Sequence, residues 1–172
     1  MRRYCGLTLV ELLVAIAVFA IVASLAVPGF RDFVQNNRTS TQANELVSAL
    51  NLARTEAVRR GSVVTVCPAN DNADDCANDW TNGWLVFVDN ADPGDTPEVD
   101  EVLRIWEPLP SSANIDGGGN GAPPTELQFR GLGDVEGAGG SFRVHFDGCT
   151  GDNARRIAVN AVGRPSVTRE DC

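Results

Sequence analysis

At 172 residues the chain has room for one globular unit of roughly 100–150 residues and an appendage. Its 23 acidic residues against 14 basic ones leave a net charge of −9, so the body repels nucleic acid and any DNA contact needs a local arginine patch. All the basic residues are arginine, and aromatic content of 6% leaves few stacking platforms for single strands.

The first element is the apolar run Leu7 to Val27, 21 residues with one charge, Glu11. As a helix it is about 32 Å long, enough to cross the hydrocarbon core of a membrane. Arg2 and Arg3 precede it and stay on the cytoplasmic side, leaving the rest of the chain outside. A secretory signal is one competing reading, with Ser24-Leu25-Ala26 as its cleavage site, and a plain single-span anchor is another. The run exceeds the roughly 7–15 apolar residues of a signal and carries a carboxylate. Placing that charge in a membrane costs up to about 3 kcal/mol, which marks Glu11 as functional and in want of a cationic partner.

Gly6-Leu7-Thr8-Leu9-Val10-Glu11-Leu12-Leu13 closely resembles the class III signal of type IV pilins and type II secretion pseudopilins. The resemblance implies that an inner-membrane prepilin peptidase cuts after Gly6 and methylates Leu7, where the family usually has phenylalanine. It also implies that the apolar helix is kept and that Glu11 neutralises the amino terminus of a neighbouring subunit. Opposite charges in a low-dielectric bundle favour the register in which they meet. Pro28 resembles a pilin feature too, and would kink the helix as it leaves the membrane. Loss of residues 1–6 would remove Cys5 and leave four cysteines, enough for two disulfides in an oxidising compartment such as the periplasm. Three pairings are possible; proximity favours Cys67 with Cys76 and Cys149 with Cys172. Zinc is the competing use, but there is no CxxC pair and one histidine, His145.

Ala43, Leu46, Val47, Leu50, Ala53, Ala57 and Val58 then recur at three- and four-residue spacing, one apolar helical stripe, opposite Asn44, Ser48, Asn51 and Thr55. Arg59 and Arg60 before Gly61 make a carboxyl-terminal stop. The expected organisation is a leader at 1–6, a helix at 7–60 with 7–27 in the membrane and an amphipathic part to about 60, and a β domain at 61–172. Six antiparallel strands are expected, at Val63 to Val66, Trp84 to Val88, Val102 to Trp106, Glu126 to Arg130, Phe142 to Phe146 and Arg156 to Ala161. Alternation turns Phe142, Val144 and Phe146 to the core and His145 to solvent. Asp89 to Glu101 is dense in carboxylates, but Ala91 and Pro93 stand where a calcium loop needs oxygen ligands, so a hairpin connection is expected. Asp116 to Pro124 and Gly131 to Gly140 read as mobile glycine-rich loops.

Cys67-Pro68, Cys76, Asp79-Trp80, Gly83-Trp84-Leu85-Val86-Phe87-Val88-Asp89 and Gly163-Arg164-Pro165 look like the GspH/FimT (FimU) branch of minor pilins and pseudopilins. That resemblance implies an α+β, pilin-like fold: a long amino-terminal helix, membrane-spanning in its first half, packed on an antiparallel β domain with two disulfides. It implies a structural subunit at or near the tip of a type IV pilus or type II secretion pseudopilus, without cofactor, metal or catalytic residues. The partners would be other pilin subunits, the prepilin peptidase, the assembly platform and inner-membrane lipid. The chain would sit in the bacterial inner membrane with its carboxyl-terminal domain in the periplasm before entering the filament. The alternative is a FimT-like DNA-binding minor pilin for natural transformation, using Arg155, Arg156, Arg164 and Arg169. There the DNA-binding relatives carry GRxR, and this chain has Ser166 in place of the second arginine. The other reading of the same arginines is a solvated strand face paired with Asp147, Asp152, Glu170 and Asp171.

Overall fold

The computed structural model describes residues 8–118 and 121–172, without the side chains of residues 25–29 and 31. Thr8 opens the helix with a capping box: its hydroxyl accepts the Glu11 N–H at 3.3 Å, and the Glu11 carboxylate accepts the Thr8 N–H at 2.9 Å. One helix, α1, then runs Leu9–Arg60. Gly61 ends it at φ 66°, its N–H reaching the Ala57 carbonyl at 2.8 Å, a left-handed conformation that glycine adopts without strain.

Only the second half of α1 is covered. Thr39, Ala43, Leu46, Ala49, Leu50, Ala53 and Ala57 are buried, while Asn44, Ser48, Asn51 and Thr55 face solvent. Val58 departs from the expected stripe and is 54% exposed, because the residue packed beside it, Gly133, has no side chain to lay over it.

Two four-stranded antiparallel sheets receive this half. The first is ordered β3 (Val99–Trp106), β2 (Trp84–Asp89), β1 (Val64–Pro68), β5 (Leu127–Phe129), and the second β4 (Ala113–Gly117), β6 (Gly140–Phe146), β7 (Ala154–Val159), β8 (Pro165–Glu170). Their inner faces, with Val66, Trp84 and Val86 on one and Phe142, Val144 and Ile157 on the other, close with α1 around a single core. A second small core of Cys67, Leu85 and Phe87 lies on the back of the first sheet. It is braced by the Cys67–Cys76 disulfide; Cys149–Cys172 forms the other bridge, and both have Cα atoms 5.6 Å apart.

The acid-rich connection after β2 is held by hydrogen bonds. Buried Asp89 accepts from the Thr65 hydroxyl at 2.6 Å and from the N–H groups of Ala91 and Glu98 at 3.0 and 2.9 Å. Gln128 accepts the Gly94 N–H at 2.8 Å. Asp89 is thus a structural acid, and among the described residues no His, Cys, Asp and Glu cluster has the make-up to hold a metal ion.

Two strands were not expected. Ala113–Gly117 pairs with β6, so Asp116 and Gly117 are strand rather than loop, and Pro165–Glu170 pairs with β7. Both lie at sheet edges, where Asn, Asp and a leading Pro are tolerated because one side of the strand needs no ladder partner. β3 begins at Val99, earlier than its apolar residues suggested, since its charged start is also on an edge.

Candidate functional site

The outer half of α1 has no apolar stripe; it is apolar all round. Leu9, Leu13, Phe19 and Ile21 are 73%, 59%, 73% and 63% exposed, and among the described residues nothing covers them. A helix of this kind is stable only when lipid or other helices surround it. Among the described residues, no helix is long and apolar enough to cross a membrane. Cys5, Gly6 and Leu7 lie outside the described residues; at Pro28 the backbone is helical but the side chain lies outside them.

Glu11 is the one charge in the described part of this apolar segment. Its Oε2 accepts from both the backbone N–H and the hydroxyl of Thr8, each at 2.9 Å. Thr8 therefore holds the carboxylate at the start of the helix, where the unpaired N–H groups of the first turn favour a negative charge.

Where α1 enters the head, a groove of about 690 Å³ opens between the helix and the loop after β6. Phe30, Val34 and Phe146 supply its apolar surface, and Asp32, Arg38 and Asp147 its charges. Polar contacts anchor the helix beside it. The Gln35 amide donates to the Asp147 carbonyl at 3.2 Å, the Thr150 hydroxyl to Asp32 at 3.3 Å, and the Arg155 guanidinium to Asn36 Oδ1. The sequence reading missed this groove. Its signal in the sequence was Phe30 and Val34 next to charged residues just past the apolar run.

The four arginines considered for DNA do not form one patch. Strand alternation turns Arg155 inward against α1, where it is 6% exposed, and burial pushes its pKa down from the ordinary value. Arg155 is therefore neither a solvated strand residue nor free for phosphate. Arg156 points to the opposite face and is ion-paired with Glu170, which holds the Glu170 carboxyl below its usual range. Arg169 pairs with Asp152 at 3.3 Å, and Arg164, in the turn before β8, makes no ion pair among the described residues. Asp147 instead accepts from Asn114, and Asp171 offers only its carbonyl, to Arg143. His145, on the outer face of the second sheet, sits 2.8 Å from Asp116.

A helix half uncovered and half seated on an antiparallel β head is the architecture of pilin-like proteins, and comparison with known proteins agrees. A family model described as Type II transport protein GspH matches residues 42–163, and one described as the prokaryotic N-terminal methylation motif matches residues 1–27. The chain belongs to the GspH family of minor pilins and pseudopilins. Among solved structures it is similar to the type IV minor pilin FimU of Pseudomonas aeruginosa strain PAO1, at 19% identity and a TM-score of 0.59, covering 80% of this chain and 92% of that one. A second crystal form of FimU gives 20% identity, TM-score 0.57, and coverage of 75% and 91%. The minor pseudopilin EpsH from the type 2 secretion system of Vibrio cholerae gives 17% identity, TM-score 0.53, and coverage of 77% and 97%. No curated protein matches the chain significantly.

Proposed function

We propose that this protein is a structural minor pilin or pseudopilin, made as a prepilin. In this reading prepilin peptidase cuts after Gly6 and methylates Leu7, and residues 7–27 anchor the subunit in the inner membrane with the β domain (61–172) in the periplasm. From there the assembly platform builds it into a filament, at or near the tip of a type IV pilus or a type II secretion pseudopilus. Pro28 gives the helix room to bend where it leaves the bilayer.

The observation that carries this reading is the methylation motif at residues 1–27 leading into a helix half whose large apolar side chains stand uncovered. Such a surface has two stable destinations, lipid before assembly and a bundle of like helices after it. Glu11 fits the second, because its carboxylate, held by Thr8, meets the new amino terminus of a neighbouring subunit when the bundle register is correct. The head contributes stability through its two disulfides and no catalysis.

The test is the intact mass of protein recovered from membranes of cells with and without prepilin peptidase. Loss of Met1 to Gly6 and gain of one methyl group on Leu7, both peptidase-dependent, is the expected result. Retention of the leader, or cleavage after Ala26, would sink the proposal.

A further inference from the structure

The face of α1 turned away from the sheets keeps a strict repeat. Asn37, Asn44 and Asn51 stand seven residues apart, and so do Thr41, Ser48 and Thr55 between them. All six are exposed, on an unbroken helix. Phe30 and Val34 precede them and Val58 follows in the same alternation of four and three, so the row from Phe30 to Val58 is about 42 Å long.

Solvation does not account for this composition. The row holds no charged residue, while Arg38, Glu45 and Arg59 stand one position to its side. Asn, Ser and Thr are poorer helix formers than Glu, Gln or Arg, so their repeated use costs helix stability. Water selects no seven-residue period, whereas a second helix does, because 3.5 residues per turn keeps one row against its partner. The row also has hydrogen-bonding capacity to offer. The hydroxyls of Thr41 and Thr55 donate back to the carbonyls of Asn37 and Asn51 at 3.0 and 2.8 Å, which leaves their oxygens as acceptors. The exposed carboxamides of Asn37, Asn44 and Asn51 each present donors and an acceptor.

Both ends of the row are apolar and hollowed. At the lower end Val34, Asn37 and Thr41 line a depression of about 480 Å³ with Pro110 and Phe146, and at the upper end Thr55 and Val58 line one of about 420 Å³. Two tight turns crowd the upper end. A Cβ on Gly133 would lie 2.8 Å from the Val58 side chain, and one on Gly163 would lie 2.1 Å from the Gly133 oxygen. The neighbours of these glycines, Leu132 and Val162, are 90% and 58% exposed.

We infer that this row is the seam for the long helix of a different pilin-like subunit, packed parallel to α1. Phe30 and Val34 at one end and Val58 with Leu132 at the other are its apolar anchors, and the three asparagines set its register. The inference rests on the filament-subunit reading above and names the contact within it. Continuity decides the occupant: below Phe30 the same alternation passes through Leu9, Leu13 and Ile16 of the uncovered half. A helix beside that half therefore meets the row as it runs up along the head. On a straight helix the row drifts by about 20° each heptad, and the partner keeps to it by left-handed coiling. Lipid would leave the carboxamides unpaired, and a charged surface would find no counter-charge on the row. A minor subunit at or near the tip has subunits of other sequence beside it, and a polar residue in a helical seam admits only the partner and stagger that satisfy it.

The experiment uses the full chain in cells that hold its peptidase and assembly machinery, with a photo-crosslinking residue in place of Glu45, beside the row. Illumination is expected to join it to a different subunit, within that subunit's long amino-terminal helix and beyond its apolar run. The double variant Asn44→Glu/Asn51→Glu is expected to lower the adduct yield at least fivefold, and Asn44→Ser/Asn51→Ser to keep it within twofold. Glutamate is the better helix former at these exposed positions, so the midpoint of urea unfolding should not fall, which separates a lost contact from a lost fold. A row that only meets water gives no adduct, or one whose yield the glutamates leave unchanged. Either result, or adducts only with lipid, with another copy of this chain or with a partner's β head, overturns the inference and, where the leader is removed, leaves the filament reading standing. An uncleaved leader overturns both.

Discussion

The two halves of α1 differ in composition and meet opposite fates. From Thr39 to Ala57 a single stripe is buried against both sheets; from Leu9 to Ile21 the apolar residues circle the helix and stand exposed. A single apolar stripe on a polar helix docks on its own head, whereas a helix apolar on every face waits for an external partner. The docked half contributes to the stability of the head, and the outer half is left for a partner beyond it.

That division can be broken by substitution. Leu50→Ala, in the docked half, is expected to destabilise the head by about 2–5 kcal/mol, because it leaves a cavity between α1 and the core. Urea unfolding of the detergent-solubilised chain, followed by tryptophan fluorescence, reads this directly. Losing either disulfide, through Cys67→Ser or Cys149→Ser, is expected to cost about 3 kcal/mol by loop closure in the unfolded chain. Arg155→Ala removes the guanidinium from Asn36 and should cost about 1–3 kcal/mol, together with faster amide exchange in α1 around Asn36.

A smaller effect sharpens the comparison through pH. The Arg156 hydrogen bond holds Glu170 below its ordinary 4.5, so the folded chain binds fewer protons there than the unfolded one. The stability it contributes is complete above the unfolded value and is lost as pH falls through the lowered folded value. Since the pair is partly exposed, that loss is below about 1 kcal/mol, and Glu170→Gln should remove this part of the acid dependence from the unfolding curve. Smallest of all, Leu13→Ser should leave head stability unchanged to within about 0.5 kcal/mol. A shift as large as that of Leu50→Ala would show that the outer half packs on the head after all.

Legibility followed physical locality. The buried stripe at Ala43, Leu46, Leu50, Ala53 and Ala57 and the inward row Phe142, Val144 and Phe146 could be read from spacing, since helix and strand periods are local properties. Val58 could not, because its exposure depends on the glycine that happens to lie beside it. β4 and β8 were hidden for a related reason: Asn114, Asp116 and Pro165 have low strand propensity, and only the ladders offered by β6 and β7 make them strands. Arg155 was misplaced because the expected strand began at Arg156; with β7 starting at Ala154, Arg155 falls on the same inward face as Ile157 and Val159.

The sequence by itself determined the long helix, its uncovered apolar half, the position of Glu11 and an antiparallel head, since periodicity, charge and hydropathy act over a few neighbouring residues. Tertiary structure alone decided that the four arginines divide between two faces and that Asp89 is tied into a loop. It alone gathered Phe30 with Phe146, and Val58 with Leu132 and Val162, because residues distant in the chain become neighbours only when the sheets close on the helix.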